Sequence, residues 1–358
     1  MIMNVRQIYW LLSINVIILS VMGIAIQYSS AGGKWSPLAT HQMIVFCTFF
    51  PVIIAILLTD IEPCAYFIYM AAIVLLLISN YFSVPIAGTT RWIRIGKISL
   101  QPSEYAKIGI ILALAYHFSR QNLYRTTEFK NLFKPFVIIA LPVILVLKQP
   151  NLGTAVIMLY IGGSIVFTAT AKKSHLFICG MLSVVLVPTI WPFLKSYHKR
   201  RILSFLNPSA DPTGIGYNTQ QAKIAIGSGG FFGKGFVSGS QTQLGFLPEK
   251  YTDFAFAVLS EEWGFLVSIT LILLYTSFLA IILYVALKLK NYFFKLVSIG
   301  VFAFFGIHFF INIGMVIGLL PIIGDPLPFL SYGGSITSTS LICVGLLFKA
   351  MLNDNNKN

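Results

Sequence analysis

Acidic residues are scarce in this chain: 11 Asp and Glu stand among 358 residues, against 25 Lys and Arg. Charged residues of both signs make up only 10% of the sequence, where an ordinary soluble domain carries about 25%. That shortage excludes a water-soluble globular class. Cysteine is nearly absent, and Cys47, Cys64, Cys179 and Cys343 each stand alone within an apolar run. Neither a disulfide framework nor a thiolate metal centre can be built from such spacing. The 5 histidines are scattered too; His308, inside an apolar run, reads as a helix–helix hydrogen-bonding residue. Nucleic acid is not expected as a partner.

Hydrophobic residues fill the space, at 57% of the chain. Apolar runs fall near 8–28, 41–58, 64–84, 103–119, 135–147, 154–171, 174–194, 254–287, 296–320 and 336–352. Runs of roughly twenty apolar residues are membrane-crossing helices, so an all-α polytopic membrane protein of about ten spans is expected. The run at 135–147 is short for a crossing and that at 254–287 is long. The first run has no small-residue cleavage site and reads as an anchor. With the N-terminus inside, short cytoplasmic connections collect Arg6, Arg120, Arg125, Lys172, Lys288 and Lys349, among others. Short outer loops keep only Lys34, Arg91, Arg94, Lys97 and Lys148. This places both termini in the cytoplasm. A large extracytoplasmic loop, 195–252, is expected between the seventh and eighth spans. It carries Lys195, Lys199, Arg200, Arg201, Lys223, Lys234 and Lys250, a cationic set suited to an anionic ligand.

Three polar segments share the outer face under this topology. They are 85–102, 195–252 and the run from Gly324 to Ser335. The second holds a turn cluster, Asn207-Pro208-Ser209-Ala210-Asp211-Pro212-Thr213-Gly214, and a glycine-rich run over 227–235. That run lacks the Gly-Lys-Ser/Thr ending of a nucleotide-binding loop and reads as a lid or re-entrant turn.

With so few carboxylates, a catalytic one can be sought by elimination. Asp60, Glu62, Glu128 and Asp354 fall on cytoplasmic connections or the tail. Asp211 and Asp325, each beside proline, read as turn residues. Glu104 follows Pro102 at the start of an apolar run and has Lys107 three residues on, so the two can pair on one helix face. Glu261 and Glu262 lie buried and paired if their helix starts at Thr252, and near the surface if it starts at Phe265. Asp253 opens the apolar run after the cationic loop, where desolvation and nearby cations compete for its ionisation. It is the strongest candidate.

Several blocks carry a resemblance. They are Gly88-Thr89-Thr90-Arg91-Trp92-Ile93, Gln101-Pro102-Ser103-Glu104-Tyr105-Ala106-Lys107 and Lys148-Gln149-Pro150-Asn151-Leu152-Gly153-Thr154-Ala155. To these add Gln221-Ala222-Lys223 with the glycine-rich run after it, and Pro326-Leu327-Pro328-Phe329-Leu330-Ser331-Tyr332-Gly333-Gly334-Ser335. In this order the chain resembles the shape, elongation, division and sporulation (SEDS) family, from its first span to its last. The stretch Gln241-Thr242-Gln243-Leu244-Gly245-Phe246-Leu247-Pro248-Glu249 resembles the cell-elongation branch, with the division branch as the nearer alternative.

The resemblance implies that residues 1–358 form a single ten-helix transmembrane domain. It implies an inverting peptidoglycan glycosyltransferase, polymerising lipid II at the outer face of the bacterial cytoplasmic membrane. The implied partners are a class B penicillin-binding transpeptidase, the elongation machinery and membrane lipids. Asp253 matches the family's essential acid. Arg91, Trp92, Glu104 and Lys107 match residues lining the same cavity, and Gln221, Lys223, Ser331 and Tyr332 fall in motifs expected to bind substrate. Three positions depart from the family pattern: Asn151 where Asp is usual, Ala222 for Ser, and Ile336 for a small residue.

The chemistry fits one acid among many cations. A diphosphate leaving group needs positive charge rather than a proton donor, unlike a glycosidase with its two carboxylates. Arg91, Lys107 and Arg201 are candidates to grip its oxygens. Two roles stand open for Asp253: general base on the acceptor hydroxyl, or ligand to a divalent cation, Mg or Mn. A lipid II flippase or a non-catalytic scaffold for a transpeptidase are the competing classes. Spans nearly devoid of mid-membrane ionisable groups weigh against transport.

Overall fold

An apolar chain in hydrocarbon must satisfy its backbone polar groups internally, and helices do this one segment at a time. The structure, a computed structural model, describes residues 5–82, 84–86, 89–96, 98–121, 129–170, 196–207 and 214–355. The chain begins with α1 (Val5–Ser30), α2 (Pro37–Leu58) and α3 (Ala65–Phe82). Three strands follow, β1 (Val84–Ile86), β2 (Thr89–Ile95) and β3 (Ile98–Leu100). Then come α4 (Pro102–Ser119), α5 (Phe133–Lys148) and α6 (Leu152–Ala169). After these lie α7 (Ser196–Leu206), α8 (Ile215–Ser228) and the single turn α9 (Ser240–Gln243). The last three are α10 (Ala255–Lys288), α11 (Tyr292–Val316) and α12 (Gly334–Asn355).

Seven of the described helices, α1, α2, α3, α6, α10, α11 and α12, are long and apolar enough to cross a membrane. The expected runs at 103–119 and 135–147 are helices α4 and α5. The run at 174–194, the turn cluster over 208–213, Glu128, Asp211 and Cys179 lie outside the described residues. Cys47, Cys64 and Cys343 are free thiols.

Two segments read from sequence as loops have regular structure. Within 85–102 the chain folds into a three-stranded antiparallel sheet, ordered β1-β2-β3, with Ile93 opposite Leu100 and Arg94 opposite Ser99. The described part of 195–252 is largely helical, in α7, α8 and α9.

The chain divides into two compact units. The first comprises Met1–Pro51, Arg200–Ile281 and Phe305–Leu341, the second Val52–Lys199, Ile282–Phe304 and Ile342–Asn358. In the second unit α4 packs on α3, α5 and α6, and β2 packs on α3 and α4. Strand β3 runs almost directly into α4, whose first residue is Pro102, a position where a missing N–H costs nothing.

In the first unit, α10 explains its excess length by a break. Gly264 has φ 78° and ψ −171°, a conformation open essentially to glycine alone. The backbone beyond it bonds outward: Phe265 N–H donates to Gly230 O at 2.9 Å and Leu266 N–H to Phe231 O at 3.2 Å. In return Lys234 N–H donates to Glu261 O at 3.0 Å and Gly235 N–H to Glu262 O at 2.9 Å. The glycine-rich run is therefore a strap bonded to the break. The amides of Gly233, Lys234 and Gly235 serve the fold, which sets aside the lid reading.

The break also settles Glu261 and Glu262. Their helix begins at Ala255, and both side chains are buried before the break. Glu261 accepts from Lys234 Nζ at 2.9 Å, Gln241 N–H at 2.8 Å, Thr242 N–H at 3.1 Å and Thr242 Oγ1 at 2.9 Å. Glu262 accepts from Ser29 Oγ, and from Gln243 Nε2 at 3.4 Å. Lys250 caps the same cluster, donating to Thr242 O at 2.8 Å. Burial lowers its pKa, and the Glu262 carboxylate opposes that shift.

Two outcomes follow for purified protein in detergent. Gly264→Ala forces an L residue into a glycine conformation, at about 1–3 kcal/mol, and drives its Cβ into the Gly233 backbone. Its melting midpoint should fall by several degrees, and an unchanged midpoint contradicts the role of the break. Glu261→Ala strands buried donors at about 1–3 kcal/mol each, so limited proteolysis should cut between residues 229 and 245. Glu249→Ala is the control, since that carboxylate meets only an exposed hydroxyl, Thr252 Oγ1; equal resistance in both variants would sink the clamp.

Candidate active site

The polar turn Leu247–Phe254 is anchored from three directions before it presents Asp253. Thr252 and Phe254 N–H both donate to Glu249 O, which closes the turn around a residue at φ 50°. The Tyr251 carbonyl accepts from Gln27 Nε2 at 2.9 Å and from Tyr332 N–H at 2.8 Å. Tyr251 Oη donates to Ser30 O at 3.1 Å. The Asp253 carbonyl accepts from Asn312 Nδ2 at 3.0 Å. Asp253 itself is half-buried, and Phe254 behind it is fully buried.

The carboxylate has a cation beside it. A Cβ added at Gly324 would lie 3.2 Å from Asp253 Oδ2 and 3.9 Å from Arg201 Nη2, so both charged groups border the same point. Gly324 has φ 77°, and its missing side chain keeps that space clear. Arg201, carried on α7, donates from Nη1 to Ile323 O at 2.5 Å. Lys199 and Arg200 precede it on the same helix. A planar guanidinium offers two parallel donors to a phosphate.

The other expected residues sort by unit. In the first unit, Gln221 and Lys223 lie on α8; Lys223 is exposed, and its side chain crosses Gly318, where a Cβ would find no room. Ser331 turns inward: it is fully buried, and its Oγ accepts from Leu327 N–H at 2.9 Å. Ser331 N–H donates to Leu327 O, and Gln42 Nε2 donates to Ser331 O at 3.3 Å. Tyr332 ties its loop to the Asp253 turn through its backbone N–H, and burial raises its phenol pKa. The Pro326–Phe329 stretch is no open groove. Leu327 and Phe329 are fully buried, and Phe329 stacks on Phe305 at 5.6 Å. It is a rigid plug.

In the second unit, Arg91 and Trp92 stand half-buried on β2, and the expected Glu104–Lys107 pair forms at 2.8 Å. Lys107 is fully buried and also lies 5.2 Å from the Phe304 ring centroid. Asn151 N-caps α6, its Oδ1 accepting from Thr154 N–H at 3.4 Å. Asn serves as an N-cap as well as Asp does, which explains the departure there.

Two residues near the turn escaped the sequence reading. Asp325, expected as a turn residue, is buried with Oδ2 2.6 Å from His308 Nδ1. Asn312, one helical turn from His308 on α11, reaches both the Asp253 carbonyl and, at 2.8 Å, the Asp325 carbonyl. Two polar residues at i and i+4 in an apolar helix were the available signal. For a divalent cation the described residues offer no group of three or more His, Cys, Asp or Glu side chains. One carboxylate bordered by a guanidinium does not make a protein-only cage.

Known proteins share both the sequence and the shape. The sequence profile of the FtsW/RodA/SpoVE cell cycle proteins matches residues 3–356. The peptidoglycan glycosyltransferase MrdB of Escherichia coli K12 is 37% identical over 289 residues, covering 79% of this chain and 78% of that one. The peptidoglycan glycosyltransferase RodA of Treponema pallidum is 32% identical over 354 residues, covering 78% and 81%. Among solved structures, a chain of a peptidoglycan synthase complex, solved to show how polymerization and crosslinking are coordinated, superimposes with a TM-score of 0.85 at 28% identity. It covers 96% of this chain and 98% of that one. The rod shape determining protein RodA of Thermus thermophilus gives a TM-score of 0.72 at 25% identity, covering 96% and 97%. A helical multi-pass chain with these motifs in this order, matched along nearly its whole length, belongs to the FtsW/RodA/SpoVE family, the SEDS proteins.

Proposed function

We propose that this protein is a peptidoglycan glycosyltransferase that polymerises lipid II during cell elongation, with Asp253 as its general base. Residues 1–358 act as one catalytic domain in the bacterial cytoplasmic membrane, with both termini inside and Asp253 facing out. The convergence of the Asp253 carboxylate and the Arg201 guanidinium on Gly324 carries this reading. The names of its relatives support the reaction class, and MrdB and RodA support the elongation role.

The transfer forms a bond from an acceptor sugar hydroxyl to the anomeric carbon of a donor sugar. The bond from that carbon to the polyprenyl diphosphate breaks, and the leaving group departs with the electron pair. Asp253 takes the hydroxyl proton as the new bond forms, with inversion at the anomeric carbon. Arg201 holds a diphosphate oxygen through its planar fork, and exposed Lys223 adds a second, movable charge. The guanidinium that borders Gly324 beside Asp253 thus faces the charge that develops on the leaving group. The product strands pass to a class B penicillin-binding transpeptidase. A peptidoglycan synthase complex among the structural relatives supports that partner.

The test is polymerisation of purified lipid II by the protein with its transpeptidase partner, whose own glycosyl transfer is excluded. Asp253→Asn should lose about 10²–10⁴ in rate while keeping the wild-type melting curve. Arg201→Ala should lose rate at subsaturating and saturating lipid II alike. Equal chains from wild type and Asp253→Asn would make the acid structural, and no chains from wild type would favour transport or scaffolding.

A further inference from the structure

Three consecutive residues, Ile323, Gly324 and Asp325, each hold a different part of the site. The Ile323 carbonyl takes Arg201, Gly324 abuts both Asp253 and Arg201, and Asp325 meets His308 with its carboxylate. Asn312 joins the segment to the catalytic turn, since its amide donates to the carbonyls of Asp325 and Asp253 together. His308 and Asn312 are fully buried, and Asp325 nearly so. None of the three is placed to touch a sugar or a phosphate.

Burying an imidazole and a carboxylate costs desolvation that apolar side chains of similar volume avoid. Stability alone therefore gives no reason to keep this pair. Polar contacts at defined points do: the two Asn312 hydrogen bonds, with His308 against Asp325 at 2.6 Å beside them, fix where the segment lies along the helix in a way apolar packing cannot. We infer that His308, Asp325 and Asn312 are positioning residues that set the placement of Asp253 and Arg201 against the substrate. The inference rests on the glycosyltransferase reading above. Loss of such a fix costs rate rather than fold: displacing a reacting group by about 1 Å can lower a rate about 10²-fold.

The experiment compares wild type with two double variants, His308→Leu with Asp325→Leu and His308→Gln with Asp325→Asn, and with Asn312→Leu. Melting temperature, kcat and KM for lipid II are measured on each. The apolar double should melt like wild type and keep its KM, while kcat drops about 10²-fold. The neutral polar double should recover most of that loss, because it keeps two polar side chains able to meet at that point. Asn312→Leu, which cuts the tie to Asp253 and leaves the pair intact, should lose kcat in the same way and serves if the apolar double does not fold. Wild-type kcat in the apolar double or in Asn312→Leu overturns the positioning role alone. Absence of chains from wild type overturns the glycosyltransferase reading, and the positioning role with it.

Discussion

Charge without water must be partnered, and this constraint orders the whole molecule. Glu104 faces Lys107, Glu261 faces Lys234 and the amides of α9, and Asp325 faces His308. Glu104, Lys107, Glu261, His308 and Asp325 are buried, and the Glu261 and Asp325 contacts each join segments that apolar packing alone would leave free to slide. Breaking one member of such a pair costs far more than never having built it. Among the described residues Glu262 is also buried, against Ser29 and Gln243, and Glu62 is a solvated partner of Arg120. Asp253 is set differently: its backbone is fixed by Asn312, and the residue stays half-buried where Arg201 also borders Gly324.

That sorting gives the site its character. A base has to be rigid in position yet reachable, and the Asp253 turn meets both needs. Its neighbours Tyr251 and Phe254 are bonded or buried, while the carboxylate borders a space that Gly324 leaves open. The loop from Pro326 to Ser335 contributes by stiffness: Phe329 plugs the core and Tyr332 bonds back to Tyr251. Motif residues that look like ligands in sequence can thus serve as the frame, as Ser331 does by closing its own loop.

The helices were legible because the bilayer imposes length and apolarity directly on sequence. The Glu104–Lys107 pair was legible because a spacing of three defines one helix face. Asp253 stood out because charge at the mouth of an apolar run is rare. The break at Gly264 was not, since a lone glycine carries no periodic signal and its bonding partners lie more than thirty residues upstream at Gly230 and Phe231. The small sheet was hidden because its outer strands have only 3 residues each. The His308–Asp325 contact joins a helix to a loop beyond its end, and no local pattern couples the two. The burial of Lys107 was not legible, because sequence shows its charge but not its surroundings.

The central claim is a geometric one about Asp253. The most direct measurement is a cryo-electron microscopy structure of the protein and its transpeptidase partner with a non-reactive lipid II analogue in both donor and acceptor positions. The account predicts an acceptor hydroxyl about 2.6–3.2 Å from the Asp253 carboxylate, and diphosphate oxygens on Arg201. A diphosphate held against Asp253 through a cation, with the acceptor hydroxyl out of its reach, would contradict it.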